Sequence, residues 1–169
     1  MESLRHQPDD DRGLRFIEQF ALLLTDGGIP RMPARMFACV LAEDAGRLTA
    51  AEFSERLRVS PAAVSSAARY LVQVGLLVKG REPGARRDHY GLADDLWYEA
   101  FGQKDELLRR WQEGLADGID LLGRDTPAGS RLEETRAFFA FMRTELPPML
   151  ERWREHRRAL ALDEPGAEG

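Results

Sequence analysis

Apolar residues recur at helical spacing along most of the chain. Leu14, Ile17, Phe20, Ala21 and Leu24 share one face between about Asp11 and Thr25, and Gly27-Gly28 ends the run. A second helix is predicted from Pro30 or Pro33 to Ala45-Gly46, with Met36, Phe37, Val40 and Leu41 on one side. The pattern then shortens. Thr49-Ala50-Ala51-Glu52 reads as a capping box, in which the threonine hydroxyl and the glutamate carboxylate satisfy each other's orphan amides. The helix it opens reaches Leu57, with Phe53 and Leu57 inward. Ser60-Pro61 then supplies an N-cap and a first-turn proline, and Val59 with Val64 forms a hydrophobic staple across the new start. Two start signals this close force a short helix, a tight turn and a second helix, Ser60–Val74, stopped by Gly75.

Beyond Gly75 the period changes. Leu76-Leu77-Val78 and His89-Tyr90-Gly91-Leu92 predict two short strands, and Gly80, Pro83 and Gly84 in the connection predict a hairpin with a long tip. Helix, turn, helix and hairpin define a winged helix-turn-helix. The predicted fold class is therefore mainly α with a small β-hairpin wing, flanked by long N- and C-terminal helices. One long helix is predicted over 93–122 from Leu96, Ala100, Leu107, Trp111, Leu115, Ile119 and Leu122. A last helix carries Leu132, Phe138, Phe139, Met142 and Leu146, must kink or restart at Pro147-Pro148, and resumes through Met149, Leu150 and Trp153. Such faces are too extended for a small winged domain to cover and are most economically buried against a second copy. The expected division is a loose tail over 1–10, a dimerisation helix over 11–28, the winged domain over 29–92, a helical dimerisation region over 93–162 and a loose tail over 163–169.

Charge sharpens this picture. The 169 residues carry 24 basic and 29 acidic side chains, net −5, yet Gly46 to Leu92 holds eight bases against four acids, net +4, leaving −9 elsewhere. A basic island in an acidic chain suits local contact with a polyanion, because only the docking face needs to attract it. Arginine supplies 22 of the 24 bases, but the excess runs along the whole chain and reads as a compositional bias. No apolar stretch approaches the roughly 20 residues of a membrane span, and Met1-Glu2-Ser3-Leu4 lacks the opening of a signal peptide, so a cytoplasmic protein without membrane contact is expected. Cys39, the single cysteine, allows no internal disulfide and no cysteine-based zinc site; neither a metal nor a cofactor is expected. There is no glycine-rich phosphate loop, no HExxH pair and no nucleophile with an ordered base, so catalysis is not expected.

The run from Leu48 to Leu92, with Leu-Thr-Ala-Ala-Glu-Phe-Ser-Glu-Arg-Leu, Val-Ser-Pro-Ala-Ala-Val-Ser and Arg-Glu-Pro-Gly-Ala-Arg-Arg-Asp-His-Tyr, resembles the winged-helix core of MarR-type bacterial transcription regulators. Arg131-Leu132-Glu133-Glu134 and the segment from Glu145-Leu146-Pro147 to Arg152-Trp153 are similar to the GbsR-like branch, so the resemblance spans about Phe16 to Trp153. It implies a homodimer built from terminal helices, an inverted-repeat operator in double-stranded DNA and, in many members, release by a small-molecule effector.

In such a regulator Ser60–Val74 would lie in the major groove. Val64, Leu71 and one of Ala67 and Ala68 would face inward, leaving Ser60, Pro61, Ala62, Ala63, Ser65, Ser66, Arg69 and Tyr70 toward DNA. Arg69 alone offers bidentate pairing with a base, so shape readout is expected to carry much of the selectivity. Arg86 and Arg87, beyond Pro83-Gly84, are candidates for an adjoining minor groove, as the family analogy also suggests, while Arg81 and His89 complete the set near phosphate. The alternative for the wing is that its arginines pair with Glu82 and Asp88. Trp97, Tyr98, Phe101 and Trp111 are candidates for an apolar or cationic effector site, against the reading that they are interhelical core. The rival function is a winged-helix protein-interaction module without sequence-specific DNA binding, which the salt dependence of duplex binding separates.

Overall fold

The computed structural model describes residues 8–160, so the expected loose tail over 163–169 and residues 1–7 of the one expected over 1–10 lie outside the described residues, while residues 8–10 are helical. It divides into two compact units, one ending at Leu96 and the other starting at Trp97.

The first unit opens with α1 (Pro8–Asp26) and α2 (Arg31–Leu41), so helix begins three residues before the expected start. Gly28, at φ +97°, makes the turn between them. Ile17 and Ala21 of α1 are buried, as are Met36, Phe37 and Val40 of α2. The guanidinium of Arg35 donates to Glu18 Oε1 from Nε at 2.8 Å and from Nη2 at 2.6 Å, and reaches the Leu57 carbonyl at 3.3 Å. One side chain thus ties α1 and α2 to the helix that follows.

A strand not foreseen in the sequence, β1 (Arg47–Thr49), leads into α3 (Ala50–Leu57). It has three residues with a single buried one, Leu48, too little alternation to register as a strand. The capping box forms as predicted: Thr49 Oγ1 accepts from the Glu52 amide, and Glu52 Oε2 accepts from the Thr49 amide at 2.7 Å. Arg58 closes α3 at φ 51°, a left-handed position more usual for glycine. Ser60 then caps α4 (Pro61–Gln73), its hydroxyl accepting from the Ala63 amide at 3.2 Å. Gly75 leaves the helix at φ +78°.

Strands β2 (Val78–Gly80) and β3 (His89–Gly91) make an antiparallel sheet in the order β1-β3-β2, with Gly91 opposite both Arg47 and Val78. Leu76 and Leu77 lie ahead of β2; Leu77 is buried with the helices, so the apolar pair that suggested a strand serves the core. The core itself centres on Met36, Val40, Phe53, Val64, Leu71 and Leu77, all essentially inaccessible.

The second unit differs from expectation at two points. The long helix predicted over 93–122 is broken into α5 (Leu96–Gly102) and α6 (Lys104–Leu122), the break falling at Gly102-Gln103. Glycine is a poor helix interior residue, and the amphipathic spacing alone hid the interruption. Conversely α7 (Pro127–Ala159) continues through Pro147-Pro148, where a kink or restart was expected. Two backbone donors are lost there, yet the helix is held over 33 residues by its packing along α6 and by the Thr126 cap, whose hydroxyl accepts from the Gly129 amide at 3.0 Å.

Candidate nucleic-acid interface

The sequence of α4 separates two faces. Val64, Ala67, Ala68 and Leu71 are buried; both alanines are inward, where only one was expected, because the capped N-terminus sets the helix close against α2 and α3. Ser60, Pro61, Ala62, Ser65, Ser66 and Arg69 are exposed on the other side, with Ala63 half-buried beside them. Tyr70 is half-buried and packs on the core cluster, which ties its ring to the domain interior. The exposed face is short-chained and polar. Its serines donate or accept single hydrogen bonds, and Arg69 supplies its one long reach.

The wing is shaped by one turn. The Ala85 amide donates to the Glu82 carbonyl at 3.0 Å across Pro83-Gly84, and Gly84 sits at φ +82°, the combination that a type II turn requires. Residues 81–87 are all exposed, so the tip projects from the sheet. At its base Asp88 accepts from Arg81 Nε at 2.7 Å and lies 3.2 Å from Lys79 Nζ. These hydrogen bonds, from Arg81 foremost and then Lys79, hold the Asp88 carboxyl below its ordinary range. Glu82 is paired with Arg47 of β1 at 2.5 Å. The wing's two carboxylates thus go to Lys79, Arg81 and Arg47, and not to Arg86 and Arg87. The His89 ring lies over Gly80, whose added Cβ would meet Nε2 at 2.7 Å.

Arg86 and Arg87 instead line a cleft of about 520 Å³ together with Thr49, Glu52, Arg47 and Arg56. Arg56 is ion-paired with Glu43. Arg47 and Arg56 were missed in the sequence as members of this surface; only the sheet register, which sets Arg47 opposite Gly91, brings β1 beside the wing. Glu43 and Glu82 also line the cleft, so its four arginines face three carboxylates, and Arg86 and Arg87 are the two that form no ion pair with Glu43 or Glu82. The cleft and the exposed face of α4 belong to the same unit.

The aromatic candidates do not form one cage. Tyr98 and Phe101 line a cavity of about 160 Å³ with Asp105, Arg143, Leu146 and Leu150 of the helical unit. Trp97 stands beside Phe101, ring centroids 6.5 Å apart, and the Arg154 guanidinium lies 3.2 Å over the Tyr98 ring. Trp111 is elsewhere, packed on Phe139 of α7 at 5.2 Å. At the cavity edge Arg143 grips Asp105 through Nε and Nη2, at 2.8 and 3.1 Å, and Gln112 through Nη1 at 2.9 Å. Cys39 is fully buried, and desolvation pushes its thiol up to about 11. No group of three or more metal-ligating side chains occurs among the described residues, and no helix is long and apolar enough to cross a membrane.

A capped helix, a left-handed turn, a second helix with an exposed polar face and a hairpin wing closing a small sheet define a winged helix-turn-helix protein. A crystal structure of a transcriptional regulator has the same fold, with a TM-score of 0.77 over 88% of this chain and 99% of that one, at 24% identity. Residues 28–88 match the MarR family, and residues 95–156 match the family of MmpR5-like MarR family transcriptional regulators. The HTH-type transcriptional regulator MmpR5 of Mycobacterium tuberculosis is 27% identical over 143 residues, which are 83% of this chain and 86% of that protein. Two separate stretches of the chain are thus similar to MarR-family transcriptional regulators, on a winged helix-turn-helix fold.

Proposed function

We propose that the protein binds double-stranded DNA sequence-specifically as a homodimer on an inverted-repeat operator, and so regulates transcription in the cytoplasm. The observation that carries this reading is the disposition of charge on the wing: its acids are occupied by Lys79, Arg81 and Arg47, while Arg86 and Arg87 lie on the exposed tip, in the same unit as α4. In this reading α4 enters the major groove through Ser60 to Arg69, and Arg86 or Arg87 enters the neighbouring minor groove. Apolar side chains left open on the helices favour a second copy as partner. Trp111 is 47% exposed, Phe138 55%, Phe141 60% and Leu121 85%, more than a lone helical unit would leave in water. Control by a small apolar molecule is supported by the Tyr98–Phe101 cavity, and a place in the GbsR-like branch by the Arg131–Glu134 and Glu145–Trp153 segments.

The test is selection of duplexes from a random library by the full-length chain, followed by binding of the enriched duplex to Arg86→Ala and Arg87→Ala. Each variant is expected to fold and to lose about tenfold or more in affinity. Undiminished binding by both variants and by the double variant would remove the wing from recognition, and failure to enrich any duplex would favour the protein-interaction module.

A further inference from the structure

Between Val78 and His89 the wing carries four cations, Lys79, Arg81, Arg86 and Arg87, and two carboxylates, Glu82 and Asp88. The carboxylates are unevenly spent. Asp88 holds both cations of the wing's base, with Arg81 Nε and Nη2 each 2.7 Å from Oδ1 and Lys79 Nζ 3.2 Å from Oδ2. The Asp88 side chain is 29% exposed against 53% for Lys79 and 59% for Arg81, so the acid lies beneath the two cations it gathers. Asp88 also follows Arg87 directly, at the point where the tip rejoins β3. The same anchor therefore sets both how much free charge the wing presents and where its tip arginines stand.

We propose that Asp88 is a positioning residue for DNA selectivity: by holding Lys79 and Arg81 at the base of the wing, it withholds two cations from indiscriminate phosphate contact and fixes Arg86 and Arg87 at the tip. This inference rests on the DNA-binding reading above. Binding to arbitrary duplex is governed almost entirely by phosphate neutralisation, whereas groove recognition depends on where the cation sits. Freeing Lys79 and Arg81 raises the first; loosening the tip lowers the second. The two effects act in opposite directions on the ratio that defines selectivity.

The experiment measures the full-length chain and Asp88→Asn against two duplexes over 50 to 200 mM salt. One duplex is that enriched by the wild-type chain, and the other is a permuted duplex of the same composition. Asp88→Asn is expected to bind the permuted duplex about three- to tenfold more tightly, with a log–log salt slope steeper by about one to two. Its affinity for the enriched duplex is expected to stay level or fall, so the ratio of the two drops about tenfold. Asp88→Glu keeps the charge and is expected to return the ratio toward the wild-type value. Circular dichroism establishes that both variants fold, and Asp88→Glu supplies the comparison if Asp88→Asn does not. A merely structural role would weaken both duplexes together without steepening the slope, and that result overturns the inference. So does an unchanged ratio and slope in a wild-type chain that binds its enriched duplex. A wild-type chain that binds no duplex at 50 mM salt overturns the DNA reading and this inference with it, a result distinct from the other two.

Discussion

Gly91 is where the backbone of β1 comes closest to the middle strand of the wing's sheet, and Gly91→Ala is expected to show it. The residue lies in the middle strand, opposite Arg47 on one side and Val78 on the other. A Cβ built there would stand 2.8 Å from Arg47 Cβ and 3.0 Å from the Gly46 carbonyl oxygen, which also accepts the Leu92 amide at 2.9 Å. Neither neighbour swings away on a flexible side chain, so relief requires moving the backbone of β1 and stretching that hydrogen bond. Overpacking of this kind costs about 1–3 kcal/mol. The reduced freedom of the unfolded chain returns about 0.4–1 kcal/mol. A net loss of about 1–2 kcal/mol follows, which in urea lowers the unfolding midpoint by roughly 0.5–1 M at an unchanged slope. Gly80→Ala is the internal comparison, because its Cβ meets only the His89 ring, which is free to rotate aside. Equal midpoints for Gly91→Ala and the wild type would refute the close approach of β1 to β3.

Leu71→Ala empties a fully buried site and is expected to cost about 2–5 kcal/mol by urea denaturation. Glu52, held below the ordinary glutamate range first by the Thr49 amide and then by its hydroxyl, contributes its cap above about pH 4.3 and loses it as pH falls through its lower folded value. Glu52→Gln is accordingly expected to be less stable than the wild type at pH 7, with the gap closing in acid; a gap constant from pH 7 to 2 would contradict the cap. Cys39 is expected to resist iodoacetamide at pH 8 until the chain is denatured, since its buried thiol stays protonated; rapid labelling of the native protein would contradict this.

Much of the winged unit was legible because its signals are local. Thr49-Glu52, Ser60-Pro61 and Gly75 are chemical punctuation, and each marks a helix end in the structure. β1 was not legible, since three residues with one apolar side chain acquire strand character only by pairing with β3. The break at Gly102-Gln103 and the passage through Pro147-Pro148 went the other way. In the first, a weak local signal ended a helix that periodicity had joined; in the second, packing along α6 overrode a strong one. At the candidate interface the residue types on α4 could be read from spacing, but the partners of the wing's acids could not. Arg47 reaches Glu82 across 35 positions of sequence, through a strand that the pattern did not announce.

Duplex affinity as a function of ionic strength tests the central claim most directly. With the full-length chain and its enriched duplex, the logarithm of the binding constant is expected to fall linearly with the logarithm of salt concentration, with a slope of about −0.9 for each phosphate neutralised, and Arg86→Gln with Arg87→Gln in one chain is expected to flatten it by about one to two. A binding constant indifferent to salt, or a slope that the double variant leaves unchanged, would contradict it.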